Sequence, residues 1–305
     1  MKKIIYCLIL IGCFTSNLYA QKLTTASYNI RYDNKSDVAA GNGWGKRLPV
    51  IADLIRFNDF EIFGAQEVLH NQLDDLLTEL PGYGSIGVGR DDGKEKGEYA
   101  PIFFKKERLN VIQSGHFWLS SITDRPNKGW DAVLPRICTW GRFQDKTSKL
   151  KFWFFNLHLD HVGVKAREES ARLVLRKIKE MCKNEPVILT GDFNVDQTHE
   201  NYEILNASGL LRDAYEIAKV RYATNGTFNA FNPNLKTKSR IDHIFITKDL
   251  KVERYGILTD TYRSEISNSS TIKSANFPKE VSLQEYQSRL PSDHFPVKVE
   301  LIYKK

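Results

Sequence analysis

The run Val187-Ile188-Leu189-Thr190-Gly191-Asp192-Phe193-Asn194 constrains the fold of this chain more than any other stretch. Pro186 opens four apolar or β-branched residues, the pattern of a short buried strand. The apolar run ends abruptly at Gly191, and a carboxylate and an amide follow two residues apart. Side chains alternate along an extended chain, so Asp192 and Asn194 are expected to face one pocket with Phe193 buried behind them. An acidic oxygen ligand beside a substrate-positioning amide suits divalent-metal chemistry. Gly, Asp and Asn also favour a plain polar turn, so the rest of the chain has to decide.

The chain has 305 residues, 41% hydrophobic and 27% charged, which fits a globular protein of one large domain or two modest ones. Its formal net charge is +7, with the basic residues dispersed. That balance is compatible with an anionic substrate and lacks the dense basic tract of a nucleic-acid tail. Met1-Lys2-Lys3, an apolar core from Ile4 to Phe14 and a small residue at Ala20 read as a secretory signal over residues 1–20. The core is too short to span a membrane. The domain then occupies residues 21–305, and the expected destination is a periplasm or the cell exterior. Leu10-Ile11-Gly12-Cys13 also resembles a bacterial lipobox, which would instead anchor the protein through a lipidated Cys13. Cys138 and Cys182 form neither a disulfide framework nor a zinc spacing and are expected to be buried free thiols.

Strand patterns recur through the whole mature length. They cover Lys22 to Arg31, Asp59 to Glu67, Glu98 to Phe104, Val111 to Leu119, Arg136 to Phe143, Leu150 to Leu159, Arg240 to Ile246, and the segment from Pro291 to Tyr303. Helical stripes are fewer: Pro49 to Phe57, Leu69 to Leu80, Val164 to Cys182 and a short one at Asn201 to Ser208. Gly82 to Gly97 reads as an exposed loop, Asp124 to Pro135 as a long one, and Thr261 to Glu285 as polar surface. One α/β domain with two helix-covered sheets accounts for this pattern better than two domains.

Polar groups stand at the ends of these strands: Asn29, Glu67, His158, Asp192 with Asn194, and Asp293 with His294. Two more strands begin with acids, Glu98 and Asp242. A single terminal acid is a solvated end, and a lone His is more often structural than a ligand. A repeated pattern is different, because sheets gather their strand ends into one crevice.

The set Tyr28-Asn29-Ile30, Gln66-Glu67-Val68, Asn156-Leu157-His158-Leu159-Asp160, Gly191-Asp192-Phe193-Asn194, Arg240-Ile241-Asp242-His243 and Ser292-Asp293-His294 resembles the endonuclease/exonuclease/phosphatase superfamily. This is the group of deoxyribonuclease I, exonuclease III, abasic-site endonucleases, deadenylases, bacterial sphingomyelinases and inositol polyphosphate 5-phosphatases. The motifs stand in the family order from Tyr28 to His294. The resemblance implies a four-layer α/β sandwich of two packed mixed sheets flanked by helices. It implies Mg²⁺, with Mn²⁺ an alternative, held mainly by Glu67 with Asn29 and Asp293. It assigns Asp192 to the attacking water, Asn194 and His294 to the phosphate, Asp242 to the His294 imidazole, and His158 to a second phosphate contact with Glu98 as its partner. Phosphoester cleavage needs this set: a metal to neutralise charge, a positioned water, and donors on the phosphoryl oxygens.

Loops select the substrate. Trp44, Trp130 and Arg136 lie in or beside loops; aromatics can stack bases and Arg can bind a phosphate in bidentate fashion. Trp118 and Trp140 fit the core, and Lys94 and Lys96 fit solvent. The expected activity is an exported metal-dependent phosphodiesterase, a nuclease on DNA or RNA, acting as a monomer. A phosphohydrolase of a small target such as a phosphorylated sugar or lipid headgroup is the alternative, and a catalytically inactive binding module the remote one.

Overall fold

The computed structural model describes residues 22–266, 270–272 and 276–303. The secretory signal and the lipobox at Cys13 lie outside these residues. The strands are β1 (Lys22–Asn29), β2 (Ile62–Gln66), β3 (Tyr83–Ile86), β4 (Ile102–Lys105), β5 (Leu109–Trp118), β6 (Ile137–Asp145), β7 (Lys151–His158), β8 (Val187–Asp192), β9 (Arg212–Asp213), β10 (Val220–Tyr222), β11 (Asp242–Ile246), β12 (Leu250–Ile257), β13 (Tyr262–Ser264), β14 (Thr271–Ile272), β15 (Leu283–Gln284), β16 (Gln287–Arg289) and β17 (Val297–Tyr303). The helices are α1 (Lys35–Ala39), α2 (Trp44–Phe57), α3 (His70–Glu79), α4 (Val164–Cys182), α5 (Glu200–Asn206) and α6 (Ala214–Ile217).

Two mixed sheets stack face to face. One runs β10-β12-β17-β1-β2-β4-β3 and the other β5-β6-β7-β8-β11-β9. In the first, β1 pairs parallel to β2 and antiparallel to β17. In the second, β7 and β8 run parallel and β11 antiparallel to β8. The C-terminal ends of β1, β2, β7 and β8 therefore meet the start of β11 and the approach to β17 at one edge. The polar surface segment expected from Thr261 carries two small ladders, β13 with β16 and β14 with β15.

Period-two alternation assigns each strand residue to a layer. On β7, Trp153, Phe155 and Leu157 face outward and pack with Ala171, Val174 and Ile178 of α4. On β1 and β2, Ala26, Tyr28, Phe63 and Ala65 face the other way, under Ile51 and Ile55 of α2 and Leu76 of α3. The result is the four-layer sandwich expected: helices, sheet, sheet, helices.

The inward rows change character along their length. β7 presents Phe152, Phe154, Asn156 and then His158. β8 presents Ile188, Thr190 and Asp192. β1 presents Leu23, Thr25, Ser27 and Asn29, and β2 presents Ile62, Gly64 and Gln66, followed by Glu67. The apolar members form one buried core with Val297, Val299 and Leu301 of β17. The polar members collect at the opposite end. Cys138 and Cys182 are buried free thiols as expected. Among the described residues, no helix is long and apolar enough to cross a membrane.

Candidate active site

The polar ends converge on a cleft of about 380 Å³ whose lining includes Arg31, Glu67, His158, Asp192, Asn194 and His294. Asn29 closes β1 and is fully buried. Its Nδ2 donates to Asp192 Oδ2 at 2.9 Å and to Glu67 Oε1 at 3.1 Å, while its Oδ1 accepts from the Arg31 N–H at 3.0 Å. Glu67 follows β2 with φ of 59°, a left-handed conformation that costs a non-glycine residue about 1 kcal/mol. The turn takes its carboxylate out of the strand row and into the cleft.

Asp192 ends β8, and its Oδ1 accepts the Asn194 N–H at 2.9 Å. Phe193 is buried behind the pair, as the alternation predicts. The extended path does not continue, however: Asn194 is left-handed, with φ of 49°. That turn lets Asn194 Nδ2 donate to Leu159 O at 3.0 Å and lie 3.1 Å from His158 Nε2. His294 Nδ1 lies 2.9 Å from Asp242 Oδ2, and its Nε2 lies 3.8 Å from Asp192 Oδ2. Ser292 Oγ donates to Asn29 O at 2.7 Å and so ties this segment to β1.

Electrostatics separates these groups. Burial and the neighbouring Asp242 raise the Asp192 carboxyl to about 7, against the lowering effect of His294. Burial opposes charge on His294, but Asp242 and Asp192 outweigh it and hold the imidazole protonated well above its usual range. His158 goes the other way: burial, with Arg136 and Arg90, keeps it neutral.

The expected pairing of His158 with Glu98 is loose. His158 Nδ1 lies 3.8 Å from Glu98 Oε2, beyond hydrogen-bond reach. Glu98 instead makes a bidentate pair with Arg90, at 2.8 Å on both oxygens. Arg136 reaches the cleft wall but is buried, with Nε 3.2 Å from Asp160 Oδ2 and Nη2 3.0 Å from His161 Nδ1. Trp130 is not in the cleft lining; it packs against the core beneath α4. Trp44, beside a loop at the first position of α2, is buried and donates Nε1–H to Asp75 at 2.8 Å, outside the cleft lining.

Five residues of the cleft lining are not among the expected site residues: Leu134, His161, Arg31, Tyr32 and Phe228. Arg31 lies two residues past Asn29, with Nη1 3.8 Å from Glu67 Oε2 and 3.6 Å from Asp293 Oδ2. β1 ends at Asn29 and Arg31 is left-handed, with φ of 59°, so strand alternation does not mark it. Tyr32 donates its N–H to Glu67 Oε2 at 3.3 Å. Phe228 sets its ring edge-on to His294 with centroids 5.1 Å apart. It comes from a loop with no strand pattern, and no local signal marks it.

The donor chemistry fits a divalent cation. Glu67, Asp192 and Asp293 bring three carboxylates to one cleft, and Arg31 approaches two of them only at 3.6–3.8 Å. Burial also raises Asp293, with Glu67 adding to the shift, so the acids are short of positive charge. Oxygen donors in this excess suit Mg²⁺ or Mn²⁺ better than zinc. The ligand atoms that cluster within 4.8 Å are those of Glu67, His158 and Asp192, and of Asp192, Asp242 and His294. Asp293 is in neither cluster and turns toward Arg31.

A carboxylate-rich cation site facing a carboxylate-backed imidazolium, at one edge of a two-sheet sandwich, defines the hydrolases of phosphoester bonds. The chain belongs to the endonuclease/exonuclease/phosphatase family, whose model matches residues 26–294. It is similar to a mannosyl-6-phosphatase of Bacteroides thetaiotaomicron, at 54% identity over 92% of this chain and 100% of that one, with a TM-score of 0.85. A family protein of the same organism is 53% identical over 93% and 99% of the two chains, with a TM-score of 0.87. The human Nocturnin catalytic domain, 17% identical over 93% and 94% of the chains with a TM-score of 0.65, shares the fold. An uncharacterized protein of Acanthamoeba polyphaga mimivirus is 29% identical over 161 residues, half of this chain and 60% of that protein's length.

Proposed function

We propose that this protein is a divalent-metal phosphatase of small phosphomonoesters, with a phosphorylated sugar as its substrate class. The observation that carries the chemistry is the pairing of Asp192, raised to about 7, with a protonated His294 backed by Asp242 at 2.9 Å. Two groups whose environments drive their protonation apart suit a base and a phosphate-side donor. The 54% identical mannosyl-6-phosphatase, matched over its full length, supports a sugar phosphate over the nucleic acid first expected from charge and family membership. A cleft of about 380 Å³ is in the range of small-ligand pockets.

When bound, the metal supplies charge neutralisation and a more acidic water; Glu67 would hold it, with Asn29 ordering the Glu67 and Asp192 carboxylates through its Nδ2–H groups. Asp192, oriented by Asn29 Nδ2–H and the Asn194 N–H, takes the proton of the attacking water at Oδ2. His294 donates from Nε2 to a phosphoryl oxygen while Asp242 keeps it charged. The neutral His158 accepts from Asn194 Nδ2, whose other hydrogen goes to Leu159 O, and so fixes the turn whose backbone N–H orients Asp192.

The test is a Mg²⁺-supplemented panel of mannose 6-phosphate, glucose 6-phosphate, single-stranded DNA, duplex DNA, RNA and sphingomyelin. The sugar phosphates should exceed the other substrates in kcat/KM by roughly a hundredfold or more. Preference for a nucleic acid or for sphingomyelin would overturn the substrate assignment.

A further inference from the structure

We propose that Asn156 is a positioning residue that locks the metal-binding half of the centre to its phosphate-binding half across the two sheets. The inference rests on reading the cleft as a phosphoester-hydrolysis centre. The two halves come from different sheets. Asn29 and Glu67 are carried by β1 and β2, and His158 and Asp192 by β7 and β8. Packing of apolar side chains holds the sheets together, but it is non-directional and sets no register at the scale of tenths of an ångström.

Asn156 supplies the direction. It is fully buried on β7, one inward step behind His158. Its Oδ1 accepts from Gln66 Nε2 at 2.6 Å and from Thr190 Oγ1 at 3.0 Å. Its Nδ2 donates to Ala65 O at 2.7 Å and to Pro101 O at 2.9 Å. Both donors and both acceptor sites of the amide are used, the most a side-chain amide can make. Three of these partners belong to the opposite sheet or the approach to its β4, and the fourth, Thr190, is on the neighbouring β8.

Two of these contacts stand directly behind site residues. Thr190 is one inward step behind Asp192, and the pairing of β7 with β8 sets Asn156 beside Thr190 and His158 beside Asp192. Gln66 directly precedes Glu67, and its Nε2 also donates to Ser27 Oγ at 3.2 Å, one inward step behind Asn29. Gly64 makes room for this arrangement, since a Cβ there would lie 2.2 Å from Asn156 Oδ1. The network thus joins the strand positions beneath Asn29, Glu67, His158 and Asp192 into one rigid layer.

Gln66 Oε1 has no partner in this network, and the net stability a buried polar network adds over an apolar replacement of the same shape is small. Its removal should therefore read out in alignment more than in folding. The test replaces it with Asn156→Leu, Gln66→Leu and Thr190→Val together, and uses Thr190→Val alone as a milder variant in case the triple fails to fold. Calorimetry measures inorganic phosphate binding with and without Mg²⁺, and kinetics uses whichever panel phosphoester the wild type turns over fastest. A nuclease result would then overturn the substrate reading and leave the test of Asn156 intact.

In the wild type, Mg²⁺ should tighten phosphate binding by about tenfold. In the triple variant each ligand alone should bind within about threefold of wild type, the coupling should fall below about twofold, and kcat should drop at least roughly tenfold with KM nearly unchanged. Thr190→Val should move the same quantities in the same direction by less. A variant with lower Tm but wild-type coupling and kcat would make the network purely structural and overturn the proposal. A wild type without coupling would overturn it as well.

Discussion

At one end of the space between the sheets, Phe152, Phe154, Ile188 and Leu301 fill a dry core. At the other end the same strands present His158, Asp192, Asn29 and Glu67, with buried acids raised and an imidazole held charged. The two ends share backbone, register and layer spacing and differ only in side chains. The dry end stabilises through area removed from water, at about 25 cal/mol per Å². The polar end buries charges that repel or desolvate one another, which costs stability. Folding free energy and chemistry are thus separated along single strands.

The sharpest way to break this comparison is at Glu67. Glu67→Gln should lower kcat by about a thousandfold or more and weaken Mg²⁺ binding, because the carboxylate serves the ion. Its Tm should stay level or rise, since one half-buried acid is removed from a crowded site. Steady-state kinetics and a thermal melt read both. Full activity that EDTA still abolishes would move the metal elsewhere.

The next effect is at Asp242 and His294. Alanine at either should cost about a hundredfold or more in kcat, and the double variant should cost little beyond the larger single loss. The pH profile sharpens this. Asp192 must be deprotonated to act, so kcat/KM should rise through about 7, or lower once a bound cation favours the carboxylate. His294 must stay protonated, and Asp242 raises its pKa, so activity should persist above the usual imidazole range and fall beyond it. Asp242→Asn removes that support and should shift the alkaline limb to lower pH. An unmoved limb in that variant would sever the pair.

The smallest catalytic effect belongs to the dry end. Phe154→Ala should destabilise the protein by about 3–5 kcal/mol through the cavity it leaves. Its kcat should stay within about threefold of wild type when measured well below the melting range. Urea unfolding and kinetics at low temperature separate the two. A large kcat loss without destabilisation would mean the ends are not independent.

Much of this was legible because its signals are local and periodic. α4 spans Val164–Cys182 as its stripe predicted, and the polar strand ends Glu67, His158, Asp192, Asn194, Asp293 and His294 line one cleft, with Asn29 and Asp242 buried behind them. What was missed depends on contacts that sequence does not display. Pro49 read as a helix start, yet α2 begins at Trp44. Pro49 removes only one helical N–H, and the carbonyl it would have met belongs to the exposed Gly45, where water serves. β3 hid inside the expected loop because it is a four-residue strand at a sheet edge containing Gly84, where the Phe104 ring occupies Cβ space at 2.8 Å. The partner of Glu98 is Arg90, from that same glycine-rich stretch, and no periodicity points to it. The left-handed turns at Glu67 and Asn194 set the final aim of both side chains, and nothing in their residue types demands them.

The insertion of β17 beside β1 has a consequence for how the molecule comes into being. Lys22 pairs with Ile302, and Asn29 Nδ2 lies 3.5 Å from His294 Nε2, so the first strand of the domain waits for its last. A ribosome-bound chain that has not yet released the segment from Ser292 onward has neither a closed seven-stranded sheet nor an imidazolium opposite Asp192. Pairings this distant in sequence close slowly, after local hairpins such as β6 with β7 have formed. An N-terminal portion ending before Ser292 therefore lacks both β17 and the His294–Asp242 pair, and the cleft is completed only with the finished domain.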